Sequence, residues 1–296
     1  MAPRIAIPMP HSTDREYGER AIPQYERAVT LAGGEPVRVA LDQTADEIRK
    51  LMQGCDGVLL PGSNADVDPT RFNAPRSPHS AAADQRRDAV DDLLLERAFR
   101  ERKPVLGICY GLQSLNVYRA GSLVQHIPDF LPEETRAKVD HEAGRKVAVA
   151  HAVEIVGDSR LAEVVGGRSE NTSGAEARMD EEAAIAALEA LRHPKPAHPA
   201  KASDLSTHAR SLILPVNSSH HQSADLVGNG LRIVARCPDD GIIEGLEGTA
   251  PDHFVLAVQW HPERSVEEDA ASRAIFEALI EAARRHPSTP SGKATR

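Results

Sequence analysis

Three cysteines in 296 residues, Cys55, Cys109 and Cys237, are too few and too scattered for a disulfide framework or a thiolate metal site, which leaves each available as a free thiol. Clustered lysine and arginine are also missing. No basic run exceeds a pair such as Arg86-Arg87 and the formal net charge is −9, so the electrostatic footprint of a nucleic-acid partner is absent. There is no long apolar run either. The opening Ile5-Ala6-Ile7-Pro8 is far shorter than a signal-peptide core or a membrane span, and a cytoplasmic location is the expectation. What remains, 41% hydrophobic and 27% charged residues, is ordinary globular composition at a length sufficient for one large domain or two small ones. The expected partner is a small molecule.

Along the first half, apolar strands alternate with helical patterns. Arg4 to Pro8 reads as a buried strand, Tyr17 to Leu31 as a helix that Gly33-Gly34 stops, and Pro36 to Ala40 as a second strand. Thr44 caps a helix to about Met52, and Gly57 to Leu60 is a third strand ending at Pro61-Gly62. From Asp84 to Arg102, Val90, Leu93, Leu94 and Ala98 recur at helical spacing before a fourth strand at Pro104 to Ile108. Repeated strand–helix–strand units imply an α/β fold, with a mostly parallel central sheet and helices on both faces.

The second half has a different character. Lys146 to Ala150, Val153 to Val156, Leu231 to Ala235, Gly241 to Leu246 and Phe254 to Gln259 suggest strands, which either extend the sheet or pair antiparallel. Residues 167–210 read as a helical and flexible insertion within one domain spanning 1–285, because its Pro-, Ala- and Lys-rich part cannot bury a core. His193, His198 and His208 in it lack the carboxylates or cysteines of a metal site. Residues 286–296 form a polar tail.

The strongest chemical signal is Gly107-Ile108-Cys109-Tyr110-Gly111, set after an apolar strand and before the helical pattern from Leu112 to Val117. Small residues two before and two after Cys109 let the chain turn sharply from strand to helix, pushing the thiol out at the strand's C-terminal edge. A helix N-terminus also favours the anionic form of the sulfur. A cysteine nucleophile needs a base, and the base needs an orienting group. His261-Pro262-Glu263 follows the strand Phe254 to Trp260 and so emerges at the edge where open α/β sheets place their sites. An extended His261-Pro262-Glu263 projects both side chains to one side, which lets Glu263 reach His261.

The run Pro104 to Ile127 with Val258-Gln259-Trp260-His261-Pro262-Glu263 resembles the class I glutamine amidotransferases. Leu60 to Pro69 (Leu-Pro-Gly-Ser-Asn-Ala-Asp-Val-Asp-Pro) and Val216 to Gln222 (Val-Asn-Ser-Ser-His-His-Gln) make it most similar to the γ-glutamyl-γ-aminobutyrate hydrolase group, the C26 peptidases. The resemblance implies the flavodoxin-like fold of that class, Cys109 as nucleophile, His261 as base and Glu263 as its orienting carboxylate. It implies an oxyanion hole built from backbone N–H groups at Gly62, Ser63 and Tyr110, each donor worth about 3 kcal/mol in the transition state. Gln113 matches a position that contacts the glutamyl moiety, and His220 and His221 match a segment lining the acyl pocket, either of which could face inward.

The reaction so implied is hydrolysis of a small γ-glutamyl amine to glutamate and free amine through an acyl-enzyme, with no metal or cofactor required. A glutaminase subunit delivering ammonia to a partner, or a catalytically silent binding or sensor module, is the alternative. A homo-oligomer, such as a dimer, is a base-rate expectation. Three positions depart from the group's pattern: Tyr110 stands where arginine is usual, Ala120-Gly121-Ser122 where Gly-Gly-Thr is commoner, and Ser63 replaces a second glycine. The missing arginine removes a cation suited to a carboxylate on the leaving amine; Arg71, Arg119 and Arg264 are the candidate substitutes.

Overall fold

A computed structural model describes residues 1–167 and 211–286. The expected insertion beyond Gly167, with His193, His198 and His208, and the tail beyond His286 lie outside the described residues. Among the described residues, no helix is long and apolar enough to cross a membrane.

The first half alternates as its apolar periodicity requires. Strands β1 (Arg4–Pro8), β2 (Glu35–Val39), β3 (Gly57–Leu60) and β4 (Val105–Ile108) are separated by helices α1 (Arg15–Leu31), α2 (Ala45–Gln53) and α3 (Gln85–Glu101), and helix α4 (Tyr110–Tyr118) follows β4. Local chemistry sets the boundaries. Thr44 and Glu47 form a reciprocal capping box at the start of α2, Asp84 accepts from the Arg87 N–H to cap α3, and Gly33 takes φ 85° just past α1.

In the second half come β5 (Leu123–Val124), short helices α5 (Ile127–Phe130) and α6 (Glu133–Arg136), β6 (His151–Ile155), α7 (Arg160–Gly166), β7 (Leu212–Val216), β8 (Ser223–Ala224), β9 (Leu231–Arg236), β10 (Ile243–Gly248), β11 (Val255–Val258) and α8 (Ala270–Arg285). Nine strands form one sheet in the order β2-β1-β3-β4-β11-β10-β9-β6-β7, and β5 pairs with β8 beside it. From β2 to β11 the neighbours are parallel, and from β11 to β7 they are antiparallel.

Alternation along the parallel strands divides their side chains between two cores. Ile5, Ile7, Leu59, Leu106, Ile108, Leu256 and Val258 pack on one face with Ile22, Tyr25 and Val29 of α1 and Ile275, Phe276, Leu279 and Ile280 of α8. Ala6, Val58, Leu60, Val105, Val255 and Ala257 pack on the other with α2, α3 and α4. Each such large side chain contributes about 1.5–3 kcal/mol when withdrawn from water, so helices are held on both faces.

One expected strand requires correction, and one helix is unanticipated. Lys146 to Ala150 is not a strand: a 3₁₀ turn at Ala143–Arg145 precedes it, and Val147 and Val149 are exposed with no neighbouring strand beside them among the described residues. The apolar alternation there is a surface accident, and pairing begins at His151 opposite Val216. Helix α8 is absent from the sequence reading, although Ile275, Phe276, Leu279 and Ile280 recur at helical spacing behind an Asp269 cap.

Candidate active site

Strand β4 ends at Ile108 and α4 begins at Tyr110, so Cys109 alone turns the chain. Its backbone is at φ 53° and ψ −107°, a conformation costly for any residue with a Cβ and one that persists only where the surroundings enforce it. The surroundings are the two glycines. A Cβ on Gly107 would lie 2.8 Å from the Gly111 carbonyl oxygen, and one on Gly111 would lie 2.1 Å from that of Leu60, so any side chain at either place would force the elbow open. The Cys109 N–H donates to the Val258 carbonyl at 2.9 Å, fastening the elbow to β11.

Because β11 runs parallel to β4 with Val258 opposite Ile108, the residues after β11 leave the sheet beside Cys109. His261 Nδ1 lies 2.7 Å from Glu263 Oε1, both residues are buried, and the Cys109 side chain lies close enough to the ring to help raise its pKa. The route to this contact differs from the extended one expected. Pro262–Arg264 is a 3₁₀ turn, closed by the Arg264 N–H donating to the His261 carbonyl at 3.1 Å, and Pro262 at its first position presets the helical φ. Burial opposes a charged His261, but the Glu263 carboxylate and Cys109 outweigh it and push the ring up to about 9. Glu263 is also opposed by burial, yet His261 holds it below the usual carboxylate range.

Asn217, not singled out as a functional residue from the sequence, clamps the backbone of His261. Its Nδ2 donates to the His261 carbonyl and its Oδ1 accepts from the His261 N–H, both at 2.9 Å. The signal was available, since Asn217 opens the Asn-Ser-Ser-His-His-Gln segment.

Among the expected oxyanion donors, the N–H groups of Ser63 and Tyr110 have no hydrogen-bond partner among the described residues. Gly62 differs: its N–H donates to the Tyr25 hydroxyl at 3.0 Å. What Gly62 supplies is clearance, because a Cβ there would lie 3.1 Å from His261 Cε1 and 3.7 Å from Cys109 Cβ. Behind this loop is Arg87, fully buried, donating to the Pro61 carbonyl at 2.7 Å and the Pro10 carbonyl at 3.1 Å while pairing with Asp91 at 2.7 Å. Arg87 shares the buried stripe of α3 with Val90, Asp91, Leu94 and Ala98, a phase that distinguishes it from exposed Arg86. The Tyr110 ring lies under the Arg87 guanidinium at 4.7 Å, and its hydroxyl donates to Asp88 at 2.7 Å.

Gln113 is buried one turn into α4, donating to the Gln222 carbonyl at 3.2 Å and to Gln259 Oε1 at 3.3 Å. His220 points into a buried polar cluster, whereas His221 contacts Asp66 at 3.0 Å, and that contact raises its pKa. Of the candidate cations, Arg71 pairs with Asp88 and Asp92, and Arg119 donates to the Asn229 carbonyl and lies over Phe99. Arg264 pairs with Glu263 Oε1 at 3.7 Å and lines a cavity of about 370 Å³ on the Glu263 side of the site, together with Tyr17, Arg20, Gln24 and Arg145.

The family model described as Peptidase C26 matches residues 5–184 and 171–263. A putative glutamine amidotransferase-like protein of Rickettsia prowazekii is 29% identical over 273 residues, 88% of each chain. The γ-glutamyl-γ-aminobutyrate hydrolase of Escherichia coli strain K12 is 29% identical over 276 residues, 89% of this chain and 86% of that one. Among solved structures, PurLQS from Thermotoga maritima superposes with a TM-score of 0.51 at 16% identity, covering 95% of this chain and 99% of that one. The glutaminase domain of Trypanosoma brucei CTPS superposes with a TM-score of 0.50 at 17% identity, covering 95% and 94%. These likenesses place the α/β sheet with the class I glutamine amidotransferase fold. With its elbow, its His–Glu pair and this family match over most of its length, the chain belongs to the Peptidase C26 family and is a glutamine-amidotransferase-like hydrolase.

Proposed function

We propose that this hydrolase cleaves the γ-glutamyl amide bond of a small γ-glutamyl amine whose leaving amine carries a carboxylate, as in γ-glutamyl-γ-aminobutyrate. The observation that carries the reading is the convergence of Cys109, His261 and Glu263 at one edge of the parallel sheet. Glu263 holds the Nδ1 proton of His261, which leaves Nε2 to take the thiol proton. The Cys109 sulfur attacks the γ-carbonyl, and the N–H groups of Tyr110 and Ser63 receive the oxyanion. The His261 imidazolium then protonates the departing amine. Water, losing its proton to His261, releases glutamate from the thioester. Domain organisation fits a single hydrolase unit over residues 1–285.

The preference for an acidic leaving amine rests on Arg20, Arg145 and Arg264 around the cavity next to Glu263, which replace the arginine missing at position 110. The E. coli relative named for that substrate supports the same choice. Glutamate release from γ-glutamyl-γ-aminobutyrate, a neutral γ-glutamyl alkylamine and glutamine tests it, with Cys109→Ala alongside. Turnover fastest with the acidic amide and lost in Cys109→Ala is expected. Turnover of glutamine alone, rising when a second protein is added, would instead make the chain a glutaminase subunit. Turnover persisting in Cys109→Ala would remove the thiol mechanism.

A further inference from the structure

The antiparallel half of the sheet buries a second group of titratable side chains that the hydrolysis does not use. His141 from the segment between α6 and β6, His151 of β6, His220 and Glu244 of β10 meet in the interior, with four candidate donor atoms within 4.8 Å of one another. Glu244 has no solvent exposure, and neither of its carboxylate oxygens accepts a hydrogen bond among the described residues. A buried carboxylate left so costs several kcal/mol unless it is paired or coordinated.

The orientation of the three rings says what sits opposite it. The outer nitrogen of each ring faces an oxygen acceptor: His141 Nε2 faces Asp240 Oδ2 at 2.7 Å, His151 Nδ1 the Ala152 carbonyl at 3.0 Å, and His220 Nδ1 the Gln222 carbonyl at 2.8 Å. Those acceptors put the N–H outward in the neutral ring, so each inner nitrogen presents a lone pair. The inner nitrogens all converge on one carboxylate oxygen, Glu244 Oε1, at 3.1 Å for His141 Nδ1, 3.3 Å for His220 Nε2 and 3.5 Å for His151 Nε2. Lone pairs on four atoms facing one another repel. Without an ion a proton relieves this at one ring: burial disfavours charge on His141, but its contacts with Asp240 and Glu244 outweigh it and push its pKa up to about 9. A metal ion would serve all four atoms at once. Donors bound to one ion at about 2.0–2.1 Å in tetrahedral array stand roughly 3.3 Å apart, which matches the three distances to Glu244 Oε1, and all four atoms lie within 4.8 Å of one another. Rings oriented from outside by a carboxylate and backbone carbonyls are also the usual surroundings of imidazole metal ligands.

We propose that His141, His151, His220 and Glu244 hold a divalent transition-metal ion of the zinc type as a structural staple. Glu244 and Asp240 supply two negative charges, which the ion neutralises while the imidazoles stay neutral. Ser218 Oγ stands 2.7 Å from His151 Nε2 and 3.4 Å from His220 Nε2, and turning this hydroxyl aside frees His151 for the ion. The staple ties β6, β10 and the segment 217–222 together, and that segment carries Asn217, the clamp on His261. The site stands independently of the substrate proposed above.

The test uses the full chain with Cys109→Ala, which removes the thiol beside His261 as a rival ligand; the overlapping His141, Cys237 and Asp240 group is told apart by sulfur in the shell of the bound ion. After chelator treatment, zinc is titrated and counted by equilibrium dialysis with elemental analysis. Saturation at one ion per chain is expected, with affinity lowered at least about 100-fold by an added Glu244→Gln and unchanged by an added His126→Ala. His126→Ala controls for the more exposed His79, His126 and Asp129 group. X-ray absorption at the zinc edge reads the ligands without altering the cluster: imidazole nitrogens with one carboxylate oxygen support the site, even if Glu244→Gln fails to fold. No saturable binding, binding undiminished in a folded Glu244→Gln, or a shell of sulfur or mostly water would overturn it.

Discussion

The two halves of the sheet solve different problems. From β2 to β11 the strands are parallel and short, with β1, β3, β4 and β11 buried on both faces, and what they deliver is an edge: the elbow after β4 and the His–Glu turn after β11 emerge side by side. From β10 to β7 the strands are antiparallel, with polar groups inside, Glu244 and His151 among them, and what they deliver is a point buried in the interior. A parallel edge is built from local strand–turn–helix units, so each piece is complete before the pieces meet. The buried point exists only when four separate segments arrive.

Glu263→Gln tests the parallel edge most directly. Glutamate release is expected to fall by roughly 10³–10⁴-fold, with KM changed far less, because His261 loses the partner that fixes its tautomer. The same variant separates a pH effect. A ring held at about 9, above its ordinary 6.5, stabilises the fold below pH 6.5, and that contribution is lost as pH rises to about 9. The difference in unfolding free energy between wild type and Glu263→Gln should therefore shrink across this window, measured by urea denaturation; a constant difference would show that His261 is not held up by Glu263.

Arg87→Met probes whether the edge depends on a buried charge behind it. Removing one partner of the Arg87–Asp91 pair should cost about 3–5 kcal/mol by denaturant unfolding, with loss of activity following from the freed Pro61 carbonyl. A cost under about 1 kcal/mol would mean that the Pro61-Gly62-Ser63 loop keeps its shape without the clamp.

Asn217→Ala asks how strongly the antiparallel half supports the edge. Two hydrogen bonds to the His261 backbone are lost, and kcat should drop by about 10–100-fold through misplacement of the ring, while Asn217→Asp, which keeps the acceptor, should lose less. If both variants retain full kcat, the two halves are not coupled through this residue. The smallest effect is expected at the elbow itself: Cys109→Gly should be more stable than Cys109→Ala by about 1 kcal/mol in thermal unfolding, because glycine accepts φ 53° without strain.

Much of the parallel half was legible. Thr44 with Glu47 marked a helix start, Gly33 a helix end, and Gly107 with Gly111 around Cys109 marked a turn that only small residues permit. Less was legible where a residue's meaning depends on its surroundings. Val147 and Val149 alternate like a strand but find no partner strand, and Arg87 reads as surface charge until α3 is laid against the Pro61 carbonyl. Gly62 matched an oxyanion donor by position, yet its N–H goes to Tyr25, 37 positions away in the chain.

By itself the sequence determined the alternation of strand and helix, the elbow at Cys109 and the pairing of His261 with Glu263, because each is written within a few neighbouring residues whose sterics and hydrogen bonding act locally. Only the tertiary structure decided that Asn217 clamps His261, that Arg87 supports the Pro61 loop, and that His141, His151 and His220 aim their inner nitrogens at Glu244. Those contacts join residues far apart along the chain, and their geometry follows from strand order and register, which hydrophobic periodicity does not encode.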